Sequence, residues 1–265
     1  EMHDIIDARR TPEVEDNGSF RMDLESEESI HRVVFESEAD VVINAAAMTD
    51  VDGCERDPKM AELVNATAPM KISEACREIG SRMIQISTDY VFDGEIGMYN
   101  EEEDTSPIQE YGKSKLNGER AVIDILGSDA AIVRTSVVFS DKTNNFVTWI
   151  AESLRRGDEL KIVDDQYVSP TSTKFLSDSA LRLAEVKFSG IINICSETRL
   201  SRIEMAEIIS KHLELKTEKI QSINMSDLEW VARRPKDSSL DCTKSKNFFP
   251  GMTFEEMLKD QLKKR

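Results

Sequence analysis

Three apolar runs with almost no in/out alternation stand in the first half of the chain: "DVVINAAAM" (40 to 48), "RMIQIS" (82 to 87) and "AAIVRTSVVF" (130 to 139). Strands covered on both faces read this way, because neither face needs polar side chains. Between them apolar positions recur three and four apart, which predicts helices over 25 to 38, 58 to 79 and 111 to 126. Pro58 suits a first helical turn, and Gly80 and Gly127 suit the stops. Later the pattern predicts helices near 145 to 156, 174 to 187, 201 to 214 and 254 to 264, with short strands near 160 to 163 and 190 to 195. Strands alternating with amphipathic helices are repeated βα units, hence an α/β fold around a mostly parallel sheet.

The beginning departs from this order. "MHDIIDARR" reads as a strand running into a basic turn, and "MDLESEESIHRVV" as a short segment entering a helix. Together they look like the second βα unit of a doubly wound nucleotide fold. The first unit would carry the central strand and the glycine-rich loop that holds a pyrophosphate at a helix N-terminus. Its absence from the sequence leads us to expect a missing strand, loop and helix of about 20 to 25 residues, the usual size of such a unit. Without that loop the chain is expected to hold a dinucleotide weakly. A length of 265 residues fits a dinucleotide-binding domain over 1–144, to which 160–187 returns, interleaved with a smaller α/β substrate-binding domain over 145–265.

Charge narrows the partners. With 34 Lys+Arg against 51 Asp+Glu, the net charge of −17 disfavours nucleic acid and anionic membrane, so an anionic ligand would need local arginines. The acidic run from Asn100 to Asp104, "NEEED", reads most simply as a solvated loop, with metal binding as the lesser alternative. Cys54, Cys76, Cys195 and Cys242 form no C-x-x-C pair and His3, His31 and His212 are scattered, as expected of reduced thiols without structural zinc. No apolar run has transmembrane length, and "EMHDIIDARR" is too polar for a signal peptide, so a soluble cytoplasmic protein is expected.

Candidate chemistry lies in "ISTDYVFDG" (86 to 94) and "YGKSKLNGE" (111 to 119). The first ends a strand in Ser-Thr; the second opens a helix with Tyr111 and Lys115 one turn apart on one face. A phenol has a pKa near 10, and a neighbouring cation would lower it, which suits proton transfer. The three alanines Ala45, Ala46 and Ala47 after a strand would let a flat ring lie against the backbone.

These segments, with "VNATAP", "IVRTSVVF", "DDQYVSPTST" and "RRPKDSSLD" in the same order, resemble the extended, sugar-nucleotide type of short-chain dehydrogenase/reductase, and within it the dTDP-4-dehydrorhamnose reductase family. The resemblance implies a Rossmann-like fold and reduction of the C4 ketone of a dTDP-linked dehydro sugar by NADPH or NADH. Tyr111 matches the general acid, Lys115 the lysine that also holds the nicotinamide ribose, and Thr88 the hydroxyl that orients the carbonyl. Asp89 and Tyr90 would contact the sugar. Asp23 with Leu24 matches the pair against the adenine, and Ala45, Ala46 and Ala47 the wall along the dinucleotide. Arg9 and Arg10 could meet a 2′-phosphate, or be solvated surface charges. Thr49 and Asp52 are candidates for a helix cap or a ligand contact, and Asn65 for an active-site position or a helix–helix hydrogen bond. Arg134 stands where the family changes from cofactor to substrate domain. Asn145, Phe146 and Gln166 would line that mouth, and Arg234 would fork the nucleotide diphosphate. Trp149 and Trp230 read as packing residues, with stacking on thymine left open. The resemblance leaves room for a magnesium ion, without ligands to name, and for a homodimer. Two alternatives stay open: another nucleotide-sugar reductase or epimerase, and a non-catalytic regulatory subunit resembling the methionine adenosyltransferase β subunit.

Overall fold

The computed structural model describes residues 3–11 and 19–262. In chain order the elements are β1 (Asp7–Arg9), β2 (Ser19–Arg21), α1 (Glu27–Ser37), β3 (Val41–Asn44), α2 (Val51–Arg56), α3 (Pro58–Glu62), α4 (Ala68–Ile79), β4 (Arg82–Thr88), α5 (Glu110–Leu126) and β5 (Ala130–Thr135). There follow β6 (Val138–Phe139), α6 (Phe146–Arg156), β7 (Leu160–Val163), β8 (Tyr167–Val168), β9 (Thr171–Ser172), α7 (Thr173–Glu185) and β10 (Gly190–Asn193). Last come β11 (Leu200–Ser201), α8 (Arg202–His212), β12 (Ile220–Ile223) and α9 (Phe254–Gln261). The end of the helix expected over 254 to 264 falls partly outside the described residues.

The main sheet is parallel, in the order β10-β5-β4-β3. Alternation along β5 shows why its sequence is apolar throughout: Ala130 and Ile132 pack with Ile30, Ile72 and Val122 of α1, α4 and α5, while Ala131 and Val133 join Val147, Leu183 and Met205 on the opposite face. Both faces are thus covered, the doubly wound arrangement read from the sequence. Among the described residues, β3 pairs with β4 alone, and β1 and β2 pair with each other in a separate parallel ladder. Ile43 on β3 is 39% exposed, far more than its counterparts on β4 and β5.

The chain returns to the main sheet through α7 and β10, whereas β7 pairs with β12 outside it. Short ladders β6–β9 and β8–β11 connect the two regions. No helix among the described residues is long and apolar enough to cross a membrane.

Two local departures shape the site. The helix expected over 58 to 79 is interrupted by a π turn at Leu63–Thr67. Gly118 of α5 packs against that bulge so closely that a Cβ there would fall 2.2 Å from the Asn65 carbonyl oxygen. The strand expected over 130 to 139 breaks at Val137, a β-branched residue at φ 41°, a costly conformation that swings the chain out of the sheet into β6.

Candidate active site

β4 delivers Thr88 to the carboxyl edge of the sheet, opposite Thr135 of β5, where ligands of doubly wound folds bind. A 3₁₀ turn over Asp89–Val91 follows, with the Thr88 hydroxyl accepting from Tyr90 N at 3.2 Å. α5 then begins at Glu110, its first turn capped by Gln109, which accepts from Gly112 N at 3.1 Å. Gly112 is needed for the close approach of that turn: a Cβ would lie 2.0 Å from the Tyr90 carbonyl oxygen. Tyr111 is thereby set beside Thr88, and its ring meets Tyr90 edge-on with centroids 6.0 Å apart.

The electrostatics differ from the sequence expectation in one respect. Burial pushes the Tyr111 phenol above its usual range, the Thr88 hydroxyl pulls it partly back, and Asp89 pushes it further up. Lys115 does not bond the phenol. Its ammonium, almost fully buried, donates instead to the Ile86 carbonyl at 2.7 Å and is itself pushed down to about 8 by burial, with Glu119 opposing. The four-residue spacing puts both groups on one helix face, yet the long lysine stem carries its charge under β4. A phenol acidified below its usual range is therefore not what the fold gives: burial outweighs what lowers it.

Asp89 also has a different position from the one expected. Its carboxylate is buried and accepts from Ser136 at 2.7 Å, Ser238 at 2.5 Å and Thr88 at 3.1 Å. It ties the ends of β4 and β5 to the C-terminal loop, and its hydrogen bonds are turned inward. Burial raises its pKa against the lowering by these hydroxyls. Arg134 is likewise internal, in a buried ion pair with Glu119 at 2.8 Å. Asn65 bonds Ser114 at 3.1 Å and both backbone groups of Met48, so it takes the helix–helix role and also fixes the loop after β3.

Ala45 and Ala46 are exposed and Ala47 is half-buried beyond the end of β3. Ala46 N donates to Asn44 at 3.2 Å, which fixes the turn. Asp23 and Leu24 are half-buried before α1; Asp23 accepts from Glu25 N at 3.1 Å in a local turn, and Leu24 packs on the layer of α1 and α4. Arg9 and Arg10 are exposed and ion-paired with Asp7 and Glu25 respectively. No group of three His, Cys, Asp or Glu side chains among the described residues is placed to hold a metal ion.

Beyond Tyr90 a cavity of about 310 Å³ opens toward the C-terminal region. Phe146, Trp149 and Trp230 supply its aromatic walls, and Lys161, Arg202 and Arg234 its cations, with Gln166 at its base. Trp149 is 40% exposed there, so it lines a cavity where packing was expected. Asn145 is set back: it caps α6, accepting from Val147 N and Thr148 N and donating to the Ser140 and Thr143 carbonyls. Gln166 accepts from Arg202 Nε at 3.0 Å, and the Arg202 guanidinium lies over Phe146 at 5.2 Å. Sequence reasoning missed Arg202 and Lys161. Arg202 carried one signal: it is a cation in the first turn of α8, at the positive end of the helix dipole, where acidic residues are favoured.

Comparison with known proteins adds a family. The profile described as RmlD substrate binding domain matches residues 6–265. The probable low-salt glycan biosynthesis reductase Agl14 of Haloferax volcanii is 37% identical over 227 residues, covering 83% of this chain and 75% of its own. The dTDP-4-dehydrorhamnose reductase of Mycobacterium tuberculosis is 33% identical over 229 residues, 84% of this chain and 74% of its own. A crystal structure of dTDP-4-dehydrorhamnose reductase from Bacillus anthracis in complex with NADP superposes with a TM-score of 0.87 at 28% identity, covering 92% of this chain and 88% of that one.

Proposed function

The chain belongs to the RmlD substrate binding domain family, and on that premise we propose that it reduces the C4 ketone of dTDP-4-dehydro-L-rhamnose to dTDP-L-rhamnose with NADPH. One observation carries the reading: Tyr90 meets the Tyr111 ring on one side and lines the cation-rich aromatic cavity on the other. A ligand with a reacting carbonyl at one end and an anionic nucleotide at the other matches that layout.

The nicotinamide, when bound along the alanine wall, supplies the hydride. Tyr111 then supplies the proton to the C4 oxygen. Its raised pKa keeps the phenol protonated across the neutral range, the form a general acid requires. An alkoxide is far more basic than a phenolate, so even a weakly acidic phenol gives up its proton to it. The Thr88 hydroxyl stands next to the phenol, its hydrogen given to Asp89, which fixes it from behind. Lys115 binds on the ribose side. Arg202 and Arg234 offset the two charges of the diphosphate, which a chain of net charge −17 would otherwise repel. Phe146, Trp149 and Trp230 offer faces to the thymine.

The test is turnover of dTDP-4-dehydro-L-rhamnose with NADPH by the wild type and by Tyr111→Phe. A loss of about 10²- to 10⁴-fold in kcat is expected from removing the acid; undiminished turnover by the variant would overturn the assignment. A second reading, reduction of a different nucleotide sugar, is favoured by the Haloferax volcanii relative, which is named for glycan biosynthesis without a stated sugar. Activity on another dTDP- or UDP-linked ketone, with none on the rhamnose precursor, would establish it.

A further inference from the structure

Asp52 is a carboxylate whose position neither capping nor catalysis explains. It sits in the first turn of α2, shortly after the alanine wall. A capping acid bonds the N–H groups of its own helix. Asp52 reaches instead to a segment 180 residues away: its Oδ1 accepts from Ala232 N at 3.0 Å and pairs with Arg234 Nη1 at 2.9 Å. Burial pushes the carboxyl up, but the Ala232 N–H and the Arg234 guanidinium outweigh it and hold the group ionised below its usual range.

The consequence falls on Arg234. Its Nη1 also donates to the Ala232 carbonyl at 2.9 Å, so that nitrogen lies between a carbonyl and the Asp52 carboxylate. The guanidinium lies over the Trp230 ring at 5.2 Å, and the side chain is only 13% exposed. One nitrogen and one face are therefore fixed. The Nε–Nη2 edge, the edge that forks an oxyanion bidentately, makes no hydrogen bond among the described residues, and Arg234 lines the cavity.

We propose that Asp52 is a positioning residue: from the cofactor wall it clamps the Nη1 corner of Arg234 so that the Nε–Nη2 edge is presented to the diphosphate of the nucleotide. The proposal rests on the reading of this cavity as a nucleoside-diphosphate site. Its sign is distinctive. A carboxylate close to a diphosphate repels it, so if Asp52 acted only by its charge, removing it would tighten binding. As a clamp, removing it weakens binding, because the arginine must then be ordered by the ligand itself.

Calorimetry with thymidine diphosphate on the full chain separates these outcomes. Asp52→Asn is expected to weaken binding about tenfold and Arg234→Met about a hundredfold, while the double variant is no weaker than Arg234→Met alone. In turnover, the KM for the nucleotide sugar rises by more than kcat falls, a split that general loosening of the fold would not give. Asp52→Glu, which keeps the charge and moves it by one methylene, is expected to lose several-fold, and it carries the test should Asp52→Asn fail to fold. Unchanged or tighter binding by Asp52→Asn, or additive losses in the double variant, would overturn the clamp while leaving Arg234 as a phosphate ligand. Unchanged binding by Arg234→Met would overturn both the clamp and the cavity reading.

Discussion

The reacting end and the nucleotide cavity meet at Tyr90 but are assembled in different ways. Thr88, Tyr111 and Lys115 come from one strand end and one helix, are mostly buried, and are held by local hydrogen bonds to Tyr90 N, Asp89 and the Ile86 carbonyl. The cavity gathers α6, β7, α8 and the loop before Arg234, and its cations are held by distant partners such as Gln166 and Asp52. Chemistry that depends on ångström-level placement stands on one strand end and one helix, and recognition of a flexible nucleotide on elements gathered from distant parts of the chain. The two ends should therefore fail separately.

The largest separation is expected from Tyr111→Phe. Beyond its loss of turnover it should bind thymidine diphosphate within about twofold of wild type, since the phenol oxygen does not line the cavity. A loss of nucleotide affinity matching the loss of rate would show that the two ends are one site. Next is Gly112→Ala. The added methyl would meet the Tyr90 backbone carbonyl and crowd the capping Gln109 side chain; Gln109 could shift, but the carbonyl could not without moving the turn. A stability loss of about 1–3 kcal/mol in urea melts is expected for such overpacking, with a fall in kcat as the first turn of α5 moves Tyr111 off Thr88. Unaltered melting and turnover would mean that the contact is not needed to place the acid. At the other end, Arg202→Met should raise the Kd for thymidine diphosphate about tenfold, the worth of one charge-assisted contact of about 1.5 kcal/mol. It should leave proton delivery alone, so a drop in kcat larger than the rise in Kd would place Arg202 at the reacting end.

The same contrast explains what the sequence made legible. Thr88, Tyr111 and Lys115 follow from strand and helix periods that run unbroken across them, so their grouping could be read before any coordinates. Arg202 offered only its unfavourable place in a helix's first turn: "LSRIEM" otherwise reads as an ordinary helix start, and nothing local says that β7 and α6 stand opposite. Asn145 was assigned to the substrate although Asn followed three residues later by Thr148 is also a capping pattern, and the fold uses it as a cap. The family resemblance puts Asp89 on the sugar, yet the turn after β4 sends its carboxylate inward to Ser136 and Ser238. The breaks at Asn65 and Val137 depend on what packs against them, which no period in the sequence encodes.

Lys115 gives the smallest effect. Its ammonium titrates near 8 in the folded chain against 10.5 when solvated, because burial disfavours the charge. Below pH 8 both states hold the proton, so the folded state carries the full cost of the buried charge. Between 8 and 10.5 the unfolded chain binds more protons than the folded one, and stability rises with pH. The shift sets a ceiling of about 3 kcal/mol on that cost. Lys115→Met removes it but leaves the Ile86 carbonyl without its donor, at about 1–2 kcal/mol. The variant should therefore be more stable than wild type by about 1 kcal/mol at pH 7, while losing turnover. Its advantage should vanish and then reverse as the pH approaches 10, when the wild-type amine is neutral and still bonded to Ile86. Urea melts of both proteins across that range decide it, and a stability difference that does not change with pH would show that the lysine is not desolvated as the fold implies.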